Sequence, residues 1–168
     1  MLDRIFVVGK GLSLQEFNFK KLEDEFTLAV GSACTWFTPT AVYMANKETH
    51  KKLKPALEDF KGIVYGGKRT GKMKKFSGLA ALDVALKIAH KVYLLGYDMH
   101  RVDGNPYAFP ETGDQAEYSY RLTGWIEARA KLFDKYFNDY KDRVYNCNPE
   151  SNIDTFKFVD IEEVLDEV

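Results

Sequence analysis

The sequence predicts an α/β fold, a single Rossmann-like three-layer domain with a mostly parallel sheet over residues 1–168. Three observations support this. Short apolar runs alternate with helical patterns along the chain, as in parallel sheets built from strand–helix–strand units. Several of these runs end in glycine or a polar residue, which is typical of strands that border a ligand crevice. A length of 168 residues also suits one domain with a sizeable core.

The apolar runs and the helical periodicity place the elements in order. Strands are predicted from continuous apolar segments of the kind that a strand buried on both faces requires, and they fall at residues 5–8, 26–30, 41–44, 63–65, 92–95, 144–147 and 156–159. Helices are predicted at residues 47–60, 116–140 and 160–167, and a further helix begins at Ser77 and ends before the strand at 92–95. Pro55 is expected to split the helix at 47–60.

The stretch from Phe76 to Asp98 is the clearest helix–strand unit in the chain. Ser77 is expected to cap the helix, and Gly78 would let a ligand approach the backbone. The helix is apolar apart from a stripe of Asp83, Lys87 and His90, so it should be buried on most sides. Asp98 follows the next strand, at the position where open α/β sheets place their chemistry.

The first predicted strand leads into Gly9-Lys10-Gly11-Leu12-Ser13. A strand, a Gly-x-Gly turn and a helix-like start form the geometry that cradles a phosphate on backbone N–H groups. The dinucleotide motif GxGxxG is absent, so a tight turn without a ligand is the alternative.

Three further segments carry candidate site residues. Asn46 follows the third strand, and the long connection at 99–115 contains His100 and Tyr107. Residues 66–75 read GGKRTGKMKK, which is either a basic loop that closes over phosphates or a solvated surface loop. A P-loop is rejected because Met73 stands where the magnesium-binding hydroxyl residue is required.

Charge and cysteine content narrow the class of protein. The net charge of -1 gives no general attraction to nucleic acid or membrane. Cys34 and Cys147 lack metal-ligand spacing and are expected to be reduced thiols. The sequence contains no apolar run long enough to span a membrane and no signal-peptide pattern, so we expect a cytoplasmic protein.

Four stretches of the chain, taken together, resemble a known family. They are VVGKGLSLQEFNFKKLE, YMAN, FSGLAALDVALKIAHKVYLLGYDMHRVDGNPYAF and VYNCNPESNIDTF. Their order and spacing, from about residue 5 to 165, are similar to those of bacterial sialyltransferases of the Campylobacter lipooligosaccharide type. That Rossmann-like family also holds 6-hydroxymethylpterin pyrophosphokinase-like proteins and phage proteins. The chain resembles a small phage or mobile-element member.

The resemblance implies a nucleotide-dependent transferase, most simply a small sialyltransferase-like glycosyltransferase with a CMP-type nucleotide sugar as donor substrate and no tightly bound cofactor. By the resemblance, a shared set of residues surrounds the nucleotide: Gly9, Gly11, Ser13, Asn46, Ser77, Gly78 and Asp98. Tyr107 would lie near the phosphate.

The chain also departs from the family pattern. Lys10 replaces a family asparagine and could pair with a phosphate. The family's base histidine has no counterpart here, so His100 is the candidate base beside Asp98, with an exposed loop residue as the alternative.

Two other functions stay open. A pterin-type pyrophosphokinase would use Mg-ATP, with Asp98 and Asp103 as metal ligands and Lys10 on the phosphates. A catalytically inactive nucleotide-binding protein is the third. The acceptor is not specified by the sequence, and a homo-oligomer could supply the part of the acceptor site that so short a chain lacks.

Overall fold

The structure is a computed structural model. It describes residues 1–45, 47–66, 76–102 and 126–167. Asn46, Asp103 and Tyr107, the basic segment at 67–75 and the first part of the predicted 116–140 helix lie outside the described residues.

Seven parallel strands form one sheet in the order β4-β3-β2-β1-β5-β6-β7. Their bounds are Leu2–Val8 (β1), Thr27–Val30 (β2), Ala41–Met44 (β3), Ile63–Gly66 (β4), Ala89–Leu95 (β5), Val144–Asn146 (β6) and Lys157–Phe158 (β7). The predicted α/β class with a parallel sheet is confirmed.

The described ranges also contain four α-helices and several short 3₁₀ turns. The helices are Lys47–Leu53 (α1), Ser77–Ile88 (α2), Ile126–Phe137 (α3) and Ile161–Asp166 (α4). The 3₁₀ turns are Leu12–Leu14, Phe19–Leu22, Gly31–Thr35, Pro55–Leu57 and Asn138–Tyr140. None of the helices in these ranges combines the length and the apolar character that crossing a bilayer requires.

The burial of the strands agrees with their order in the sheet. All residues of β2 and β3 are buried, as are the last four of β1 and of β5, because central parallel strands are covered on both faces. After β4 the chain returns to the other side of β1 and forms β5. Ligands of open α/β sheets lie at the carboxyl ends of the strands beside such a reversal.

The chain divides into two compact units, residues 1–9 with 18–93 and residues 10–17 with 94–168. In the first unit, the rings of Phe6 and Tyr93 stack with their centroids 5.1 Å apart. Arg4 forms an ion pair with Glu25 in the same unit, and its guanidinium also lies over the Phe6 ring. The prediction that residues 1–168 form one domain stays a prediction.

An aromatic cluster forms the core of the second unit. Phe133 of α3 is fully buried and makes edge-on contacts with Tyr97 at 5.8 Å and with Phe156 at 6.2 Å between ring centroids. Edge-to-face pairs of this kind add stability beyond the area that they bury. The cluster therefore anchors α3 to the segment that follows β5 and to the segment that precedes β7.

The structure corrects two local predictions and confirms two others. Ser77 does not cap α2; it is the first helical residue, and Phe76 is the cap, without a side-chain hydrogen bond. His90 lies in β5 rather than on the helix, because α2 ends at Ile88. Most residues of α2 are buried, as its apolar pattern predicted, and Lys87 pairs with Asp83 at 2.6 Å. The helix at 47–60 is interrupted before Pro55, as expected of a residue without a backbone N–H.

We expect Phe133→Ala to lower the free energy of unfolding by about 3–5 kcal/mol, because it removes a fully buried ring and its two aromatic contacts. Phe158→Ala is the matched control, since that ring is 45% exposed. Chemical denaturation measures both. Equal losses for the two variants would contradict the described core of the second unit.

Candidate functional site

A buried carboxylate joins the loop after β1 to the turn after β5 within the second unit. Asp98 is 1% exposed. Its Oδ2 accepts a hydrogen bond from the backbone N–H of Ser13 at 2.7 Å, and its Oδ1 accepts one from the Ser13 hydroxyl at 2.6 Å. We call this pair the Ser13–Asp98 latch. Burial of a carboxylate is tolerable when donors replace its water, and Ser13 supplies one donor to each oxygen.

Gly11 and Gly96, beside the latch, stand where the Cβ of any other residue would clash with its neighbours. A Cβ on Gly11 would lie 2.4 Å from Cγ of Asp98, which the buried carboxylate could not accommodate. Gly96 has φ +66°, in the left-handed region, and a Cβ there would lie 2.5 Å from Leu14. The Gly11 N–H donates to the Gly96 carbonyl at 2.8 Å. The backbone of the Gly-x-Gly turn is therefore in direct hydrogen-bonding contact with the backbone of the turn after β5.

These bonds reduce the number of backbone N–H groups that the turn could donate to a phosphate. The N–H groups of Gly11 and Ser13 already donate inside the protein. A phosphate at this turn would need other donors, and Lys10, whose side chain is half-buried in the same turn, is the cation nearest in sequence. A cradle made of these two backbone N–H groups would require the hydrogen bonds to Gly96 and Asp98 to break.

A second segment supports the β5 turn from residues 151–152. The Ser151 hydroxyl donates to the Tyr97 carbonyl at 2.7 Å, and the Asn152 N–H donates to the Asp98 carbonyl at 2.9 Å. The Asn152 side chain donates to the carbonyl of Met99 at 2.8 Å. Met99 has φ +55°, an uncommon conformation for a residue with a side chain, and these bonds hold it there.

His100 lies at the end of the same turn and is half-buried. Its Nδ1 is 3.2 Å from the Asp98 carbonyl. A carbonyl oxygen only accepts, so this contact selects the tautomer with the proton on Nδ1. That tautomer leaves Nε2 with its lone pair, as a general base requires.

Asn146 and Asn148 follow at the carboxyl end of β6. Oδ1 of Asn146 accepts from the N–H of Asn148 at 3.2 Å, and Oδ1 of Asn148 accepts from the N–H of Glu150 at 3.0 Å. Both side chains are buried. They shape the segment that carries Ser151.

Burial also raises the pKa of two ionisable groups in the second unit. Burial, reinforced by the charge of Asp160, raises the pKa of the Cys147 thiol to about 12. Burial raises the pKa of the Tyr97 phenol far above its usual range. Both groups therefore stay protonated at neutral pH, which makes Cys147 a poor nucleophile.

The described residues bring part of the predicted site together. Lys10, Gly11, Ser13, Asp98 and His100 all belong to the second unit, and Gly9 directly follows β1. Ser77 and Gly78 form the first turn of α2 in the first unit. Asn46 and Tyr107 lie outside the described residues. The ligand-binding roles assigned to these residues stay predictions.

Sequence reasoning gave no role to Ser151, Asn152 or Asn146. The stretch that contains them entered only as part of the family resemblance. Their partners are backbone carbonyls more than fifty residues away or, for Asn146, a local N–H, and no periodicity in the sequence points to such bonds. Within the described ranges, no group of three or more His, Cys, Asp or Glu side chains could hold a metal ion.

We expect Ser13→Ala to lower the free energy of unfolding by about 1–3 kcal/mol, because one oxygen of a buried carboxylate loses its donor. Asp98→Asn should also destabilise the protein. Chemical denaturation of both variants and the double mutant gives the coupling, expected at about 1 kcal/mol or more. Strict additivity would mean that the bond between the Ser13 hydroxyl and Asp98 contributes nothing to stability.

Cys147 should make stability depend on alkaline pH. The folded-state pKa is raised from 9.0 to about 12, so the unfolded chain loses this proton first as pH rises. The free energy of unfolding should therefore be unaffected by this group below about pH 8 and fall as pH rises from about 9 toward 12. Denaturation at about pH 8 and pH 10 under reducing conditions should show a smaller fall for Cys147→Ala. An unchanged fall would assign the effect to other groups.

Comparisons with known proteins leave the family open. No protein-family model and no curated protein matches the chain. Among solved structures, the chain is similar to a crystal structure of a protein from Lactobacillus plantarum, at 11% identity and a TM-score of 0.46. The match covers 86% of this chain and 59% of that one.

Proposed function

We propose that this protein is a nucleotide-dependent transferase that takes a nucleotide-activated sugar as its donor, in the manner of the sialyltransferases that its sequence resembles. The observation that carries the proposal is the Ser13–Asp98 latch, which lies at the carboxyl ends of the strands. It holds a glycine turn, a lysine and a histidine in one unit.

The residues of the site have two different roles in the proposed reaction. Both carboxylate oxygens of Asp98 accept from Ser13, so Asp98 acts as a positioning residue. Lys10 and His100 are half-buried and remain the candidates for direct contact with a ligand. Lys10 would pair with a phosphate of the donor, since an ammonium binds phosphate as a point charge.

His100 would take the proton from the acceptor hydroxyl. The Asp98 carbonyl beside Nδ1 favours the tautomer whose Nε2 can accept that proton. Glycosyl transfer then breaks the bond between the sugar and the nucleotide phosphate and forms a bond between the sugar and the acceptor oxygen. The same turn therefore positions the base and, through Asp98, the loop that carries Lys10.

The geometry favours this function over the pyrophosphokinase. A magnesium site at Asp98 would have to displace the Ser13 donors from a carboxylate that is 1% exposed. Oxygen atoms that already accept short hydrogen bonds are poorer candidates for a first metal shell.

A thermal-shift screen with CMP, UDP, GDP and ATP, each with and without Mg²⁺, tests the proposal. We expect CMP to raise the melting temperature without magnesium, by roughly 5–10 °C at a hundred times the dissociation constant. A shift by ATP that needs Mg²⁺ would favour the pyrophosphokinase. If no nucleotide changes the melting temperature, the proposed function fails.

Variants of the two contact residues separate binding from catalysis. Lys10→Ala should weaken CMP about tenfold, whereas Lys61→Ala, at an exposed position in the first unit, should bind CMP like the wild type. His100→Gln should bind CMP normally and lose turnover of a CMP-sugar. Binding without turnover in the wild type would instead indicate an inactive nucleotide-binding protein.

A further inference from the structure

Asn146 carries a buried donor whose partner is missing among the described residues. The residue is 2% exposed, and its Nδ2 has no hydrogen-bond partner in that part of the chain. An unpaired amide donor away from water destabilises a protein, and an apolar side chain would cost less at the same place. The donor therefore calls for an acceptor other than those that the described residues supply.

The orientation of the amide is set by its other end. Oδ1 of Asn146 accepts from the N–H of Asn148 at 3.2 Å, and a backbone N–H can only donate. The oxygen must therefore face Asn148, and the NH₂ group must be the end left without a partner. Exchanging the amide oxygen and nitrogen would place the NH₂ group against the N–H of Asn148, two donors facing each other, so it would not satisfy the amide.

Asn146 lies at the edge of the sheet that is formed by the carboxyl ends of the strands. Asn146 is the last residue of β6, which lies next to β5 in the sheet order. The following residue, Cys147, donates its N–H to the Leu94 carbonyl near the end of β5 at 3.0 Å. Asn146 and Asp98 both belong to the second unit and both lie at strand carboxyl ends.

We propose that Nδ2 of Asn146 donates a hydrogen bond to an oxygen of the bound nucleotide, which makes Asn146 a specificity-determining residue of the site. This inference rests on the proposed function. An amide NH₂ group only donates hydrogen bonds, so Asn146 selects a phosphate or carbonyl oxygen and rejects an amino group at that point.

Two-dimensional NMR of ¹⁵N-labelled wild type tests the contact directly. The chain has only seven asparagines and two glutamines, so the side-chain amide region is sparse. CMP should shift the Asn146 NH₂ resonances and slow their exchange with water. Cytidine and inorganic phosphate are the two further probes: a shift by cytidine alone assigns the oxygen to the base, and a shift by phosphate alone assigns it to the phosphate.

A pair of matched variants tests the energetic consequence. Asn146→Asp keeps the oxygen that accepts from Asn148 and replaces the donor, so CMP affinity should fall about tenfold or more. Asn138→Asp makes the same change in charge at an exposed position of the same unit and should leave CMP affinity unchanged. The NMR measurement on the wild type decides the matter if Asn146→Asp does not fold.

The outcomes separate this inference from the proposed function. If CMP binds the wild type while the Asn146 amide resonances stay in place and Asn146→Asp binds equally well, the inference is overturned and the function stands. That result would assign the donor to an internal water. If CMP does not bind the wild type, both fail.

Discussion

The buried carboxylate of Asp98 is the constraint on which the candidate site depends. A carboxylate at 1% exposure needs donors in place of water, and both of its oxygens find them on Ser13. That requirement brings the loop after β1 against the turn after β5. It then excludes a side chain at Gly11, where a Cβ would lie 2.4 Å from the carboxylate carbon.

The turn that carries Asp98 also forms hydrogen bonds with residues 151–152. Three hydrogen bonds from Ser151 and Asn152 reach the carbonyls of residues 97–99. Met99 keeps a left-handed backbone conformation between them. Surrounding bonds of this kind are what allow an unfavourable conformation to persist, and such conformations often occur at functional sites. Two separate segments of the second unit, the loop at Ser13 and residues 151–152, therefore form hydrogen bonds with the turn at residues 97–99.

This arrangement changes the chemistry that the site can perform. Asp98 was predicted as a catalytic residue, and the structure shows its carboxylate already engaged with Ser13. Its role in the proposed reaction is to hold the loop with Lys10, while its carbonyl sets the tautomer of His100. Removing the Asp98 side chain would release the loop that carries Lys10, whereas the carbonyl beside His100 belongs to the backbone and would remain.

The sequence by itself determined the fold class and most of the elements. Continuous apolar runs marked the buried strands because a parallel strand is covered on both faces, and Pro55 marked the break after α1 because proline lacks a backbone N–H. Local patterns were less reliable at helix ends, where Phe76 rather than Ser77 is the cap. Only the tertiary structure decided the partners of the polar residues. Ser13 and Asp98 are 85 residues apart, and the bond between them depends on the sheet order rather than on any spacing along the chain. The sequence could not reveal the amide of Asn146 for the same reason, since its burial and its lack of a partner among the described residues are properties of the packed chain.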